Sequence, residues 1–307
     1  MKLAAISVES AGAESLRSMK ELLIVPHRRG RWFVFAKNRF ALMSSALLAF
    51  ILLISVFPGT VSSRDPYSST ALDGTFQPPL QQPTRQHPFG TDELGRDLFS
   101  RTIYGIRVSL AAGASVVAMS AGLGTFVGLL SAIIGGVFDE VAMGTASAFL
   151  AFPTLVVAVV LIGSLGVGLV NGAVALTLAF WPQFAWLARG MAVSVMQSGY
   201  VEGARSVGAS WFRILRYHVL PNSVGPVLIK ASLDFGHVVL LMGTLSFLGF
   251  GAQPPLPELG ALVARGRLVI LTAWWYATFP GLLIFVIVLT LNFIGDGLRE
   301  AFDPTIT

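Results

Sequence analysis

Tyr200–Asn222 reads YVEGARSVGASWFRILRYHVLPN, the long polar and basic interruption in the hydrophobic second half of the chain. Its landmarks run in order: Glu202-Gly203-Ala204, then Gly208, then Leu220-Pro221. Tyr200–Val207 predicts a short helix, and Gly208 supplies the permissive residue of a sharp turn. Ser210 is placed to cap a second helix to about Val219, which Pro221 would stop. Two short helices at an angle would make a compact knob. Trp211, Ile214 and Leu215 would lie on one side, with Arg205, Arg213 and Arg216 at the edges. Exposed aromatics beside arginine are the residue types that anchor protein interfaces. A helix lying on anionic lipid uses the same types, so both readings stay open at this point. Nothing in the stretch assembles a catalytic set.

The surroundings decide what kind of chain carries it. Of 307 residues, 54% are hydrophobic and 12% charged, about half the charge of a soluble domain. Several uncharged runs reach the roughly 20 residues needed to cross a hydrocarbon core as helix. The expectation is an all-α membrane protein, and continuous apolar runs exclude the ten-residue alternation of a β-barrel. The absence of cysteine excludes disulfides, thiolate metal sites and thiol catalysis. The net charge of +5 is no nucleic-acid signature, because eight of the 21 Lys and Arg precede residue 40, beside the first apolar run.

Outward from there, residues 1–39 form a basic segment containing Arg28, Arg29, Arg31, Lys37 and Arg39. Phe40–Phe57 is the first span. Residues 58–107 are a proline-rich loop ending in an amphipathic elbow helix, for which Asp92 is the expected N-cap. Residues 108–297 hold five more spans: about Leu110–Ile134, Val141–Leu161 with a kink at Pro153, Ala173–Ala188, Val224–Phe250 and Trp274–Ile294. Gly113, Gly122, Gly124 and Gly128 mark the second as a helix built for close approach in lipid. The polar, basic loop that holds Tyr200–Asn222 occupies 189–222, and 298–307 is a polar tail. With six spans and both termini cytoplasmic, 13 Lys and Arg face the cytoplasm and 7 the outside, in line with the positive-inside rule.

The spacing of Glu202, Gly208 and Leu220-Pro221 resembles the EAA loop (E-A-A-x3-G-x9-I-x-L-P) of ATP-binding-cassette importer permeases, with Gly203 at the first Ala and His218 at the Ile position. Three further stretches narrow the resemblance. These are His87-Pro88-Phe89-Gly90-Thr91-Asp92-Glu93-Leu94-Gly95-Arg96-Asp97, Leu245–Gly251 with Gln253-Pro254-Pro255, and Phe279-Pro280-Gly281 with Asn292–Arg299. They are similar to segments of C-subunit-type dipeptide/oligopeptide/nickel permeases. The resemblance implies a six-helix type I importer fold and half of a translocation pore. It implies a paralogous permease subunit as heterodimer partner, two cytoplasmic ATPases and an extracytoplasmic solute-binding protein. Tyr200, Glu202, Gly203, Ala204, Gly208, Trp211, Arg213, His218, Leu220 and Pro221 would then carry ATPase coupling. The chain departs from the family at Trp186, Gly144, Ser147 and the uncharged stretch Met196–Gly199.

No G-x4-G-K-[ST] phosphate loop is present, so ATP and Mg would be used by the partner ATPase, and no cofactor is expected on this chain. Four scattered His give no metal-ligand spacing. Lys230, Asp234 and His237 sit inside the fifth span, where ionisable groups are candidates for a pore. Lys230 and Asp234, four residues apart on one helix face, can also neutralise each other as a structural pair. They motivate one alternative, a proton-coupled secondary transporter. The cluster Asp92, Glu93, Arg96, Asp97 and Arg101 is expected to form surface ion pairs or to meet the binding protein.

Overall fold

The computed structural model describes residues 35–69 and 76–302. Arg28, Arg29 and Arg31 and tail residues 303–307 lie outside the described residues. All extended elements among the described residues are helices, as hydrocarbon demands of a backbone that must satisfy its own donors and acceptors. Helix α1 is Arg39–Val56, capped by the Asn38 side chain on the Ala41 amide. A short α2, Pro58–Val61, turns the chain away.

Helix α3 runs unbroken over Leu98–Ile134, 37 residues. The elbow is therefore not a separate helix, and its N-cap is Asp97, which accepts from the Ser100 amide at 2.8 Å. Asp92 is engaged elsewhere. Its carboxylate accepts from the Leu94 and Arg96 amides, each at 2.9 Å, and from Arg96 Nε at 2.7 Å. That closes a turn and postpones the helix.

Helices α4 (Gly136–Leu150) and α5 (Thr154–Leu165) meet at a bend of 101°. The expected kink at Pro153 is a full break, because proline lacks a donor and pushes Phe152 out of helical geometry. Helix α6 is Leu169–Met196, two turns longer than expected at its second end. The short α7 is Gly199–Ser206 and α8 is Trp211–Ile214. A five-residue π turn, Leu215–Val219, leads directly into α9, Leu220–Phe247. Helix α10, Leu259–Gly266, and α11, Trp274–Phe302, complete the bundle.

Four described helices are long and apolar enough to cross a membrane: α1, α3, the continuous Trp211–Phe247 and α11. The bent α4–α5 pair makes a fifth if counted as one span. Helix α6 lies outside that set; Asn171, Pro182, Gln183 and Arg189 dilute its apolar character.

Helices α3 and α6 make the most extensive contact in the bundle. Gly124 and Gly128 let it form: a Cβ at either would overlap the Trp181 or Ala185 carbonyl of α6. One apolar core lies between α3, α5, α6 and α9, and a second joins α1, α3, α9, α10 and α11.

The acidic and basic cluster near the start of α3 is internal. Asp92 is fully buried, paired to Arg96 and to Arg101 Nε at 3.2 Å. Asp97 holds His87 at 2.7 Å. Glu93 accepts from Arg265 of α10 at 2.8 Å and from the Tyr276 hydroxyl of α11. Burial pushes the Glu93 carboxyl up, but the Tyr276 and Arg265 bonds outweigh it and hold it below the ordinary carboxylate range. Neither surface pairing nor an exposed docking patch describes Asp92, Arg96, Asp97 or Arg101.

Replacing Gly128 by Val inserts an isopropyl group into backbone-to-backbone contact. Overpacking of this kind costs about 1–3 kcal/mol. The expected result is a lower thermal midpoint in detergent for Gly128→Val, with Gly122→Val unaffected because open space surrounds Gly122.

Candidate functional site

The stretch 197–222 stands at the end of the bundle opposite the Asp92 cluster. Its underside is apolar and buried: Val201, Ile214 and Val219 pack against Ala188, Ala192 and Val195 of α6 and Leu129 of α3. The turn between α7 and α8 pivots on Gly208 at φ +82°, a conformation that suits glycine. Ser210 caps α8 as expected, accepting from the Arg213 amide.

Two expectations are corrected here. Pro221 does not stop the helix, because it sits in the first turn of α9, where a missing amide is harmless. The π turn before it resets the hydrogen-bond ladder, with the Leu220 amide reaching the Leu215 carbonyl. Side chains serve nearby carbonyls: Asn222 Nδ2 donates to His218 at 2.6 Å, and the Ser223 hydroxyl to Val219 at 2.9 Å. The knob is therefore one short helix set against the base of a long one. Trp211 also parts from Ile214: the isoleucine is buried while the indole is exposed, covered by Arg205 at 4.2 Å.

The outer face presents Tyr200, Val207, Trp211, Phe212 and Tyr217, all exposed, among Arg205, Arg213 and Arg216. Glu202, Gly203, Gly208, Leu220 and Pro221 are exposed as well; Ala204 and His218 are half-buried. The His218 ring leans on Tyr200 at 5.6 Å between centroids. A Cβ at Gly203 would meet nothing within 4 Å, so its lack of a side chain is no steric requirement.

A contact not singled out from sequence ties together the helices on which this knob rests. Arg189 grips Asp139 of α4 through two bonds, Nε at 2.6 Å and Nη2 at 2.5 Å, and the Ser131 hydroxyl of α3 donates to the same carboxylate. Three helices are joined there. Trp186, one turn before Arg189, places its ring 5.6 Å from the guanidinium. The signal available in sequence was the lone acidic turn at 139–140 opposite Arg189, which spacing alone could not pair across 50 residues.

The candidates in α9 form a second cluster. Lys230 Nζ lies 2.9 Å from Asp234 and donates to Gln183 Oε1 of α6 at 3.0 Å. His237 is exposed and meets Phe180 edge-on at 5.8 Å. Gln183 was missed because an uncharged amide gives no signal of its own. No group of three potential metal ligands occurs among the described residues.

Residues 124–307 match the family described as binding-protein-dependent transport system inner membrane component. The chain is 40% identical over 261 residues to the probable D,D-dipeptide transport system permease protein DdpC of Escherichia coli, covering 85% of this chain and 86% of that one. It is 36% identical over 268 residues to the dipeptide permease DppC of Alkalihalophilus pseudofirmus, covering 87% and 86%. An inward-facing MetNI methionine transporter structure aligns with TM-score 0.54 at 19% identity, over 66% of this chain and 96% of that chain. An amino acid transporter structure aligns with TM-score 0.51. The fold is thus the helical fold of importer membrane subunits.

Gly203→Ala adds helix propensity worth about 1 kcal/mol, whereas Gly208→Ala meets a strained φ costing about 1–2 kcal/mol. Hydrogen exchange on the purified protein is expected to show amides 200–206 protected roughly five-fold more in the first variant and less in the second.

Proposed function

The chain belongs to the binding-protein-dependent transport system inner membrane components, as a permease subunit of an ATP-driven importer of dipeptide/oligopeptide type, and on that premise we propose how it works. It is a multi-pass membrane protein, and its role is transport; the proton-coupled alternative is set aside by this membership. In our reading the imported solutes are short peptides, and α6 makes the sixth crossing with both termini cytoplasmic. The chain forms half a pore with a paralogous permease subunit. Two cytoplasmic ATPases use ATP and Mg, and an extracytoplasmic binding protein delivers the solute.

The observation that carries the coupling role is the two-sided knob. Its buried Val201, Ile214 and Val219 fix it to α6 and α3, while aromatic and arginine side chains remain open on the other face. Those are interface-anchoring residue types. A knob packed on α6, which Arg189–Asp139 links to α4, transmits an ATPase movement into both helices as a rigid-body shift. The broken α4–α5 pair, bent by 101°, supplies a joint at which such a shift changes the pore. The Lys230–Gln183–Asp234 cluster bridges α6 and α9, and we assign it to the pore wall.

The experiment is peptide uptake and ATPase copurification by the assembled complex. Glu202→Lys reverses an exposed charge on the knob, and ATPase recovery is expected to fall roughly ten-fold, the size of about 1.4 kcal/mol, with uptake lost and membrane insertion normal. Normal recovery and uptake would remove the docking assignment. Asp234→Asn is expected to change uptake kinetics with ATPase recovery intact; unchanged kinetics would make the pair structural.

A further inference from the structure

Most arginines at the end of the bundle opposite the knob are committed. Arg96 and Arg101 serve Asp92, Arg265 serves Glu93, Arg64 reaches His87 at 3.2 Å, and Arg267 covers the Phe247 ring at 4.3 Å. Arg107 differs. It is exposed on α3, and among the described residues no hydrogen bond, ion pair or ring contact engages it.

Arg107 stands at one end of an open groove of about 520 Å³, lined with Ala111, Ser115 and Met119 of α3 and Val170 and Val174 of α6. The Ser115 hydroxyl is already spent on the Ala112 carbonyl at 2.7 Å. One charged group and an apolar trough remain, which suits an anion carrying a hydrocarbon chain and ill suits the polar backbone of a peptide.

Depth supports the same ligand. From Arg107 to Met119 the helix rises about 18 Å, close to one leaflet of a hydrocarbon core of roughly 30 Å. Helix α3 ends at Ile134, beside the Asp139–Arg189 pair. Counting back the about 20–25 residues of a crossing puts the far boundary near residues 109–114. Arg107 then lies at headgroup level, with the trough beneath it. The groove is also apart from the assigned pore wall. Gln183 follows Val174 by nine residues, which is two and a half turns, so the two sit on opposite faces of α6.

We propose that this groove binds an anionic phospholipid, with its phosphate on Arg107 and one acyl chain along Ala111, Ser115 and Met119. The guanidinium fork matches phosphate oxygens in paired bonds, and the trough buries the chain.

The test uses the whole complex in nanodiscs of phosphatidylcholine with a minor fraction of phosphatidylglycerol bearing a photoreactive acyl chain. Adducts are mapped by mass spectrometry, and a photoreactive phosphatidylcholine serves as comparison. Phosphatidylglycerol adducts are expected to concentrate on 111–119 and 170–174. They are expected to fall roughly ten-fold in Arg107→Gln, the scale of one lost charge-assisted contact, and to recover in part in Arg107→Lys. Ala111→Trp fills the trough with the charge kept and is expected to remove the same adducts, so it carries the test if Arg107→Gln fails to assemble. Equal labelling by the two lipids, or labelling indifferent to both variants, overturns the proposal. Altered peptide KM with unchanged lipid labelling overturns it too, by making the groove a peptide site. ATPase recovery and uptake in the same preparations report separately on the importer reading.

Discussion

The approach of α3 to α6 at Gly124 and Gly128 is the contact on which the rest of the bundle depends. In lipid, apolar surface gains nothing by leaving solvent, so association rests on close contact between backbones. Two glycines one turn apart bring α3 against the α6 backbone at Trp181 and Ala185. With that spacing set, Ser131 and Arg189 converge on one Asp139 carboxylate, and Leu129 reaches Ala188 and Ala192. The knob rests on this platform. Its buried side is continuous with the helix contact, so movement of the knob relative to the bundle would have to break the apolar contacts of Val201, Ile214 and Val219. That construction favours movement of the knob and the helices beneath it as one body.

Proline is handled in three ways, and each solution suits its place. Pro153 breaks the chain into α4 and α5, where a bend is wanted and extended backbone is tolerated. Pro182 and Pro226 stay inside α6 and α9. Pro221 sits just past a π turn, which shifts the ladder by one residue before the missing amide matters. Because of that turn, one 37-residue helix runs from the knob through the bundle. A stop at Pro221 would have left the knob on a flexible tether.

What the sequence made legible was what local chemistry decides. Apolar runs located most of the spans, Gly208 and Ser210 announced the turn and cap, and ordered residues from Glu202 to Pro221 pointed to the family. What it hid depended on partners distant in the chain. Asp92 looked like an N-cap until Arg96 and Arg101 took its carboxylate, and Asp97 then capped α3 instead. Gln183 and Asp139 matter only through Lys230 and Arg189, which no spacing rule connects. The fate of Pro221 turned on a one-residue shift in hydrogen bonding, which composition does not encode.

The distribution of charge sorts the molecule by task. At the end opposite the knob, Asp92, Glu93, Asp97, Arg96, Arg101 and Arg265 neutralise one another inside the fold, tying the segment before α3 to α10 and α11. Buried pairs of this sort specify arrangement more than they stabilise it, since desolvation offsets much of their attraction. At the knob end, Arg205, Arg213 and Arg216 are exposed and, among the described residues, have no acidic partner. The Lys230–Asp234 pair lies between these layers, half-desolvated and shared with Gln183 across two helices. A pair in that position is sensitive to relative movement of α6 and α9, because sliding either helix changes which oxygen the ammonium faces. That sensitivity fits a wall that must alternate between two states better than one that only holds the bundle closed.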